Sequence, residues 1–160
     1  IELSGTSKGS FYHYFDGKDA LLSTLSSLFD EKYEELTGLL TPEMTAMEQL
    51  LFLNRELFHM IEDSISLDLL ARLYSTQLTT NGEKHLLDHN RIDYKLLRKI
   101  IAKGQAEGQL SSRSNVNEMV KLYALCERAL LYDWCLCAGE YALTEYSAKV
   151  LPGFLSSFLP

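Results

Sequence analysis

From Lys18 onward apolar residues fall three and four positions apart, at Leu22, Leu25, Phe29, Tyr33, Leu36 and Leu40. That spacing predicts one long amphipathic helix. Thr41-Pro42 should break it, because proline lacks a backbone donor and restricts the residue before it. Thr45 with Glu48 three residues on forms a capping-box pattern that starts a second helix, with Leu50, Leu51, Leu57, Phe58, Ile61 and Ile65 as its stripe and Asn54 as a polar interruption. Ser66 is placed to cap a third helix, in which Leu67, Leu70, Tyr74 and Leu78 share a face until Asn81-Gly82. The helical pattern resumes from Glu83 to Glu107, with Leu86, Leu97, Ile100 and Ile101 inward and Gly108 as a left-handed cap. Asn115 and Glu118 mark the start of a helix running to about Ala138, and a last helix begins near Thr144, with Pro152 set to kink or shorten it. The fold class is all-α.

The helix from Val116 is apolar nearly all round. Val116, Val120, Tyr123, Leu130, Leu131 and Trp134 cover one side, and Leu122, Cys126, Ala129 and Leu136 cover much of the other. A helix apolar on both sides must be buried on both. The last helix likewise carries Val150, Leu151, Phe154, Leu155 and Phe158, more than one-sided packing needs. Two such helices per chain, paired about a two-fold axis, would form a four-helix homodimer bundle. Its interface residues would be Leu122, Cys126, Ala129, Leu136, Val150, Phe154 and Phe158.

The opening stretch reads differently. Ile1 to Leu3 looks like the tail of a preceding helix, Ser4 to Thr6 a turn, and Ser7 the acceptor for the first exposed donors of a short helix. Phe11 and Phe15 lie four apart and face inward together, which leaves Lys8, Ser10, Tyr12 and His13 on the other surface. Donors, a flat ring and a cation on one face suit a helix laid in the major groove of DNA. The run Ser7-Lys8-Gly9-Ser10-Phe11-Tyr12-His13-Tyr14-Phe15, with Lys18-Asp19-Ala20-Leu21-Leu22 after it, resembles the recognition helix of the tetracycline-repressor (TetR) family of bacterial transcription regulators. The resemblance is dense over roughly the first twenty residues and diffuse beyond, where Gly104-Gln105-Ala106-Glu107-Gly108 is similar to a helix ending frequent in that family's regulatory body.

The resemblance implies that Ser7, Lys8, Gly9, Ser10, Tyr12, His13 and Tyr14 touch bases or backbone and that Lys18 holds a phosphate. It further implies a DNA-binding remnant over residues 1–20 and a ligand-binding and dimerisation domain over 21–160. A helix-turn-helix needs a helix on both sides of its turn, so an upstream portion is expected to be missing and the chain by itself is not expected to bind an operator.

Composition adjusts this picture. With 160 residues and 46% apolar content, the chain can bury roughly two thirds of its unfolded surface without a disulfide or metal. No apolar run approaches the ~20 residues of a membrane span, and no leader opens the sequence, so a soluble, cytoplasmic protein is expected. Cys126, Cys135 and Cys137 form no CxxC pair and read as reduced. The net charge of −7 argues against nonspecific nucleic-acid binding. Even residues 1 to 20 set Lys8 and Lys18 against Glu2, Asp16 and Asp19.

No catalytic motif or cofactor signature stands out. His85 and His89 are four apart, yet two ligands without a third make a weak metal site. A more suggestive set mixes rings with isolated polar groups: Phe58, Tyr74, His89, Asp93, Tyr94, Tyr123, Glu127, Arg128 and Trp134. A mostly apolar pocket with a few fixed polar groups is where a small-molecule effector would sit between bundle helices. Glu127 and Arg128 could equally pair across a dimer seam. The function expected is a ligand-responsive regulator, a repressor that binds a palindromic double-stranded operator as a homodimer and is released by an effector. The competing readings are a dimeric helical ligand-binding protein without DNA-binding activity and, further off, a small helical enzyme using His89 and Asp93.

Overall fold

The computed structural model describes residues 8–79, 88 and 91–160, with side chains at 20 and from 23 onward within that range. Among them the chain is all-helical. Helix α1 spans Lys8–Thr37, α2 Ala46–Ser64, α3 Leu67–Thr79, α4 Ile92–Ala106, α5 Val116–Leu136 and α6 Leu143–Phe154, with a 3-10 turn at Ser156–Phe158. The expected turn at Ser4 to Thr6 lies outside the described residues, as do Ser7, Asn81-Gly82, His85 and His89.

Two expected boundaries move. The short opening helix and the long helix from Lys18 are one uninterrupted α1. No proline lies between Lys8 and Thr37, and an internal glycine such as Gly17 costs only about 1 kcal/mol relative to alanine, too little to break a 30-residue helix. The helix expected over Glu83 to Glu107 opens later among the described residues, with α4 starting at Ile92. Asp88 and Arg91 are non-helical, and Arg91 takes an extended N-cap conformation at φ −69°, ψ 157°.

The predicted caps form. Glu48 N donates to Thr45 Oγ1 (3.1 Å) and Thr45 N to Glu48 Oε1 (2.8 Å), satisfying two orphan donors at the head of α2. Leu69 N donates to Ser66 Oγ at α3, and Glu118 N to Asn115 Oδ1 at α5. Gly108 closes α4 at φ +73°, a conformation other residues adopt only with strain.

Around that turn the glycines and glutamines of the stretch each have a task. A Cβ on Gly104 would lie 2.6 Å from the Ala46 methyl and 2.8 Å from Leu110, so only glycine lets α4 approach the head of α2 this closely. Gln105 Nε2 donates to the Ser111 and Ser114 carbonyls and holds the loop to α5, while Gln109 Oε1 accepts from Ala46 N.

The core is one cluster drawn from all six helices. Through it runs a polar thread. Asn54 Nδ2 donates to Glu127 Oε2 (3.0 Å), Asn54 Oδ1 accepts from Ser147 Oγ (2.7 Å), and Tyr123 donates to the Leu50 carbonyl (2.9 Å). The polar interruption in the α2 stripe is therefore the junction of α2, α5 and α6. Pro152 sits inside α6, which ends at Phe154, two residues beyond it.

Helix α6 begins with no capping side chain of its own. Glu62, near the end of α2, supplies one: its carboxylate accepts from Leu143 N (2.7 Å), Thr144 N (3.1 Å) and Thr144 Oγ1 (2.7 Å). Partial burial opposes ionisation of Glu62, but the Thr144 hydroxyl, the two N–H groups and His59 outweigh it and hold the carboxyl below its ordinary range. A depressed pKa gives stability that is present at neutral pH and lost as pH falls through the folded value. Glu62→Ala should cost about 1–2 kcal/mol at pH 7, the usual worth of a helix cap, and the loss should shrink on acidification. Thermal melts of both proteins at pH 7 and pH 4 check this; an equal loss at both pH values would remove the ionised cap from the account.

Candidate ligand pocket

Five helices converge on a cavity of about 70 Å³. Each contributes residues one helical turn apart, which is how a single face is built. Phe29 and Tyr33 come from α1, Leu57 and Ile61 from α2, and Leu70, Leu73 and Tyr74 from α3. Arg91, Asp93 and Tyr94 come from the start of α4, and Ala124, Glu127, Arg128 and Leu131 from one face of α5. The walls are rings and aliphatic groups, and the polar groups cluster on α4 and α5.

Those polar groups are tightly held. Because Arg91 is extended ahead of α4, its side chain runs into the interior, where Nη2 lies 3.1 Å from Asp30 Oδ1 and ties α4 to α1. Among the described residues its Nε has no partner, and neither has Asp93 Oδ1, both atoms being sealed from solvent. Arg128 Nη1 donates to the Tyr94 hydroxyl (3.2 Å). Burial pushes the Asp93 carboxyl above its ordinary value, with Arg91 and the Tyr94 N–H pulling the other way. Burial also raises Glu127, to about 7, against the opposing hydrogen bond of Asn54 and the nearby Tyr123 hydroxyl and Arg128 charge. The Tyr33 and Tyr74 phenols are raised by burial as well, so both remain protonated donors at neutral pH.

Of the residues the sequence pattern proposes for a ligand, Tyr74, Asp93, Tyr94, Glu127 and Arg128 meet at this cavity. His89 lies outside the described residues. Phe58, Tyr123 and Trp134 do not line it. Phe58 and Tyr123 are sealed in the core, Tyr123 against the Leu50 carbonyl, and the Trp134 indole N–H is spent on the Tyr141 carbonyl (2.8 Å) at the turn into α6. Arg91, Phe29 and Tyr33 escape the pattern. Phe29 and Tyr33 carry the same periodicity as ordinary core residues, and nothing local reveals that Arg91 turns inward.

Comparison with protein-family models, with curated proteins and with solved structures returns no match for this chain. The site must therefore be read from its own chemistry. The described residues contain no group of three or more His, Cys, Asp or Glu placed to hold a metal, and no helix among them is long and apolar enough to cross a membrane.

The residues expected at a dimer seam divide. Phe158 is 1% exposed and Cys126 9%, so both are taken up by the chain's own core and offer no contact surface. Ala129, Leu136 and Phe154 are exposed, and Leu122 and Val150 are half-buried. With Leu125 and Tyr132, both about half exposed, the α5 positions 122, 125, 129, 132 and 136 form a stripe at alternating three- and four-residue spacing. Leu122, Ala129 and Leu136 thus lie on the open side of α5 as expected, whereas Cys126 does not and Leu125 and Tyr132 complete the stripe. The side chains of Lys8, Ser10, Tyr12, His13, Tyr14 and Lys18, and the position of Gly9 relative to them, lie outside what is described.

Proposed function

We propose that this protein is a ligand-responsive, DNA-binding transcription regulator of the TetR type, a repressor that works as a homodimer. The observation that carries the reading is the course of α1. The helix that opens on Lys8-Gly9-Ser10-Phe11-Tyr12-His13-Tyr14 also places Phe29 and Tyr33 in the wall of the pocket and is pinned beside it by the Asp30–Arg91 ion pair. Between Tyr12 and Phe29 the helix rises roughly 25 Å. A small tilt at the pocket therefore becomes a shift of a few ångströms at the other end. In a homodimer two such ends must meet major grooves about 34 Å apart, so a shift of that size weakens the fit to DNA. An effector acts in this way only if it binds the DNA-incompetent arrangement more tightly. The apolar stripe on α5, together with Tyr146 and Phe154 exposed on α6, supports pairing of two chains through these helices.

The test is selection of bound duplexes from a random DNA pool by the full-length protein, followed by titration of the best duplex with native protein and with the Tyr12→Ala, His13→Ala double variant. Base contacts are worth about 1–3 kcal/mol each, so the variant should bind tenfold or more weakly at the same salt concentration. Equal binding by the two proteins would remove the role given to this helix.

A further inference from the structure

Two pocket residues carry atoms left unmatched among the described residues, and these say what kind of molecule completes it. Arg91 Nε is a donor on a side chain only 7% exposed, and Asp93 Oδ1 is an acceptor two residues along on the same first turn of α4. Native proteins rarely leave such atoms without a partner, and when they do a missing ligand or water is the usual completion. We infer, on the reading that this pocket is the effector site, that it takes a small, electrically neutral, flat molecule whose polar end both donates and accepts, such as an aromatic carboxamide or a phenol. The donor goes to Asp93 Oδ1 and the acceptor receives Arg91 Nε.

Charge fixes the neutrality. Arg91 is balanced by Asp30 across a 3.1 Å contact and also favours the ionised form of Asp93, Arg128 is held on the Tyr94 hydroxyl beside Glu127, and Glu127, whose carboxyl burial raises to about 7, already has Asn54 on Oε2. A carboxylate placed here would meet Asp93 and Glu127, and an ammonium would meet Arg91 and Arg128. Either leaves an unbalanced charge in a mostly apolar interior, where desolvation is costly. The flatness comes from the walls, where rings from three helices, Phe29, Tyr33, Tyr74 and Tyr94, face the space. Its volume, about 70 Å³, is below the roughly 150 Å³ that holds benzene, so a single ring must move a wall as it enters. Helix α1 is one of those walls.

The test uses the full chain and five one-ring probes at pH 7: benzamide and phenol as neutral donor-acceptors, benzoate and benzylammonium as charged analogues, and toluene as the apolar one. Calorimetry and thermal shift should place benzamide and phenol at least tenfold tighter than the other three, since a hydrogen bond to a charged group is worth that factor or more. Asp93→Ala should cut benzamide affinity tenfold or more and leave toluene unchanged. Should that variant not fold, Asp93→Asn, which trades a charged acceptor for a neutral one, should narrow the same preference. Benzoate, benzylammonium or toluene binding as tightly as benzamide would overturn the ligand class and leave the pocket as an effector site. Benzamide binding that is indifferent to both Asp93 variants would overturn the placement. No response to any of the five would overturn the class and the effector reading together.

Discussion

Glu127→Gln should make the protein more stable at alkaline pH and change it far less at mildly acid pH. Glu127 is buried on α5 among groups from every helix around it: Tyr33 of α1, Asn54 of α2, Tyr74 of α3, Arg91 and Asp93 of α4, and Tyr123 and Arg128 of its own helix. Burial is the largest influence and raises its carboxyl from an ordinary 4.5 to about 7. The folded state then holds the proton over a range in which the unfolded chain has released it. The favourable contribution is complete below the unfolded value and is lost as pH rises through about 7. Converted at 1.36 kcal/mol per unit, the full swing is roughly 3 kcal/mol, most of it falling between pH 5 and 8.5. Glutamine keeps the shape and an oxygen for Asn54 but has no proton to lose. Its advantage over the native residue should therefore grow by roughly 2–3 kcal/mol between pH 5 and 8.5, some 5–10 °C of melting temperature for a chain of this size. Chemical denaturation of both proteins at the two pH values reads this difference of differences, in which any change of packing cancels. A constant offset would place the Glu127 carboxyl in an ordinary, ionised state.

That such a group sits at the centre of the molecule was only partly legible in the sequence. The elements were legible where a local rule decides them. Thr45 with Glu48, Ser66, Asn115 with Glu118 and Gly108 each satisfy backbone groups within one turn of themselves, and each does so in the structure. Asn54 and Glu127 also announced themselves, as polar residues on apolar stripes. Their partnership did not, because they lie 73 positions apart and only the packing of α2 on α5 joins them. Arg91 illustrates the limit more sharply. Its inward course depends on an extended backbone ahead of α4 and on Asp30, 61 residues earlier on an exposed-looking turn of α1. Periodicity also cannot separate a core ring from a pocket ring. Tyr74 and Phe58 carry the same pattern, and what distinguishes them is which helix faces them. On α5 Leu122, Ala129 and Leu136 do lie on the side the chain leaves open, but Cys126 does not, and its neighbour Leu125, about 100° round the helix, takes that place.

Phe58 makes that distinction measurable, and its truncation should be among the most damaging single changes in the chain. The ring is fully sealed in the core, on the α2 face that also carries Leu50, Leu53, Leu57 and Ile61, and it takes no part in the pocket wall. Phe58→Ala removes a whole ring from close-packed surroundings, losing its transfer energy and leaving a cavity that neighbours anchored by the Asn54 junction can fill only in part. The expected cost is about 3–5 kcal/mol, or roughly 6–20 °C in melting temperature. It should appear at every pH, unlike the Glu127 effect, because no titrating group is removed. Binding of a pocket probe such as benzamide, measured at a temperature where the variant is still folded, should stay within a few-fold of the native value. A variant that kept its stability and lost the probe would move Phe58 from the core to the pocket. The α2 contribution to the wall would then extend beyond Leu57 and Ile61, and the geometry by which α1 senses the pocket would have to be rebuilt around it.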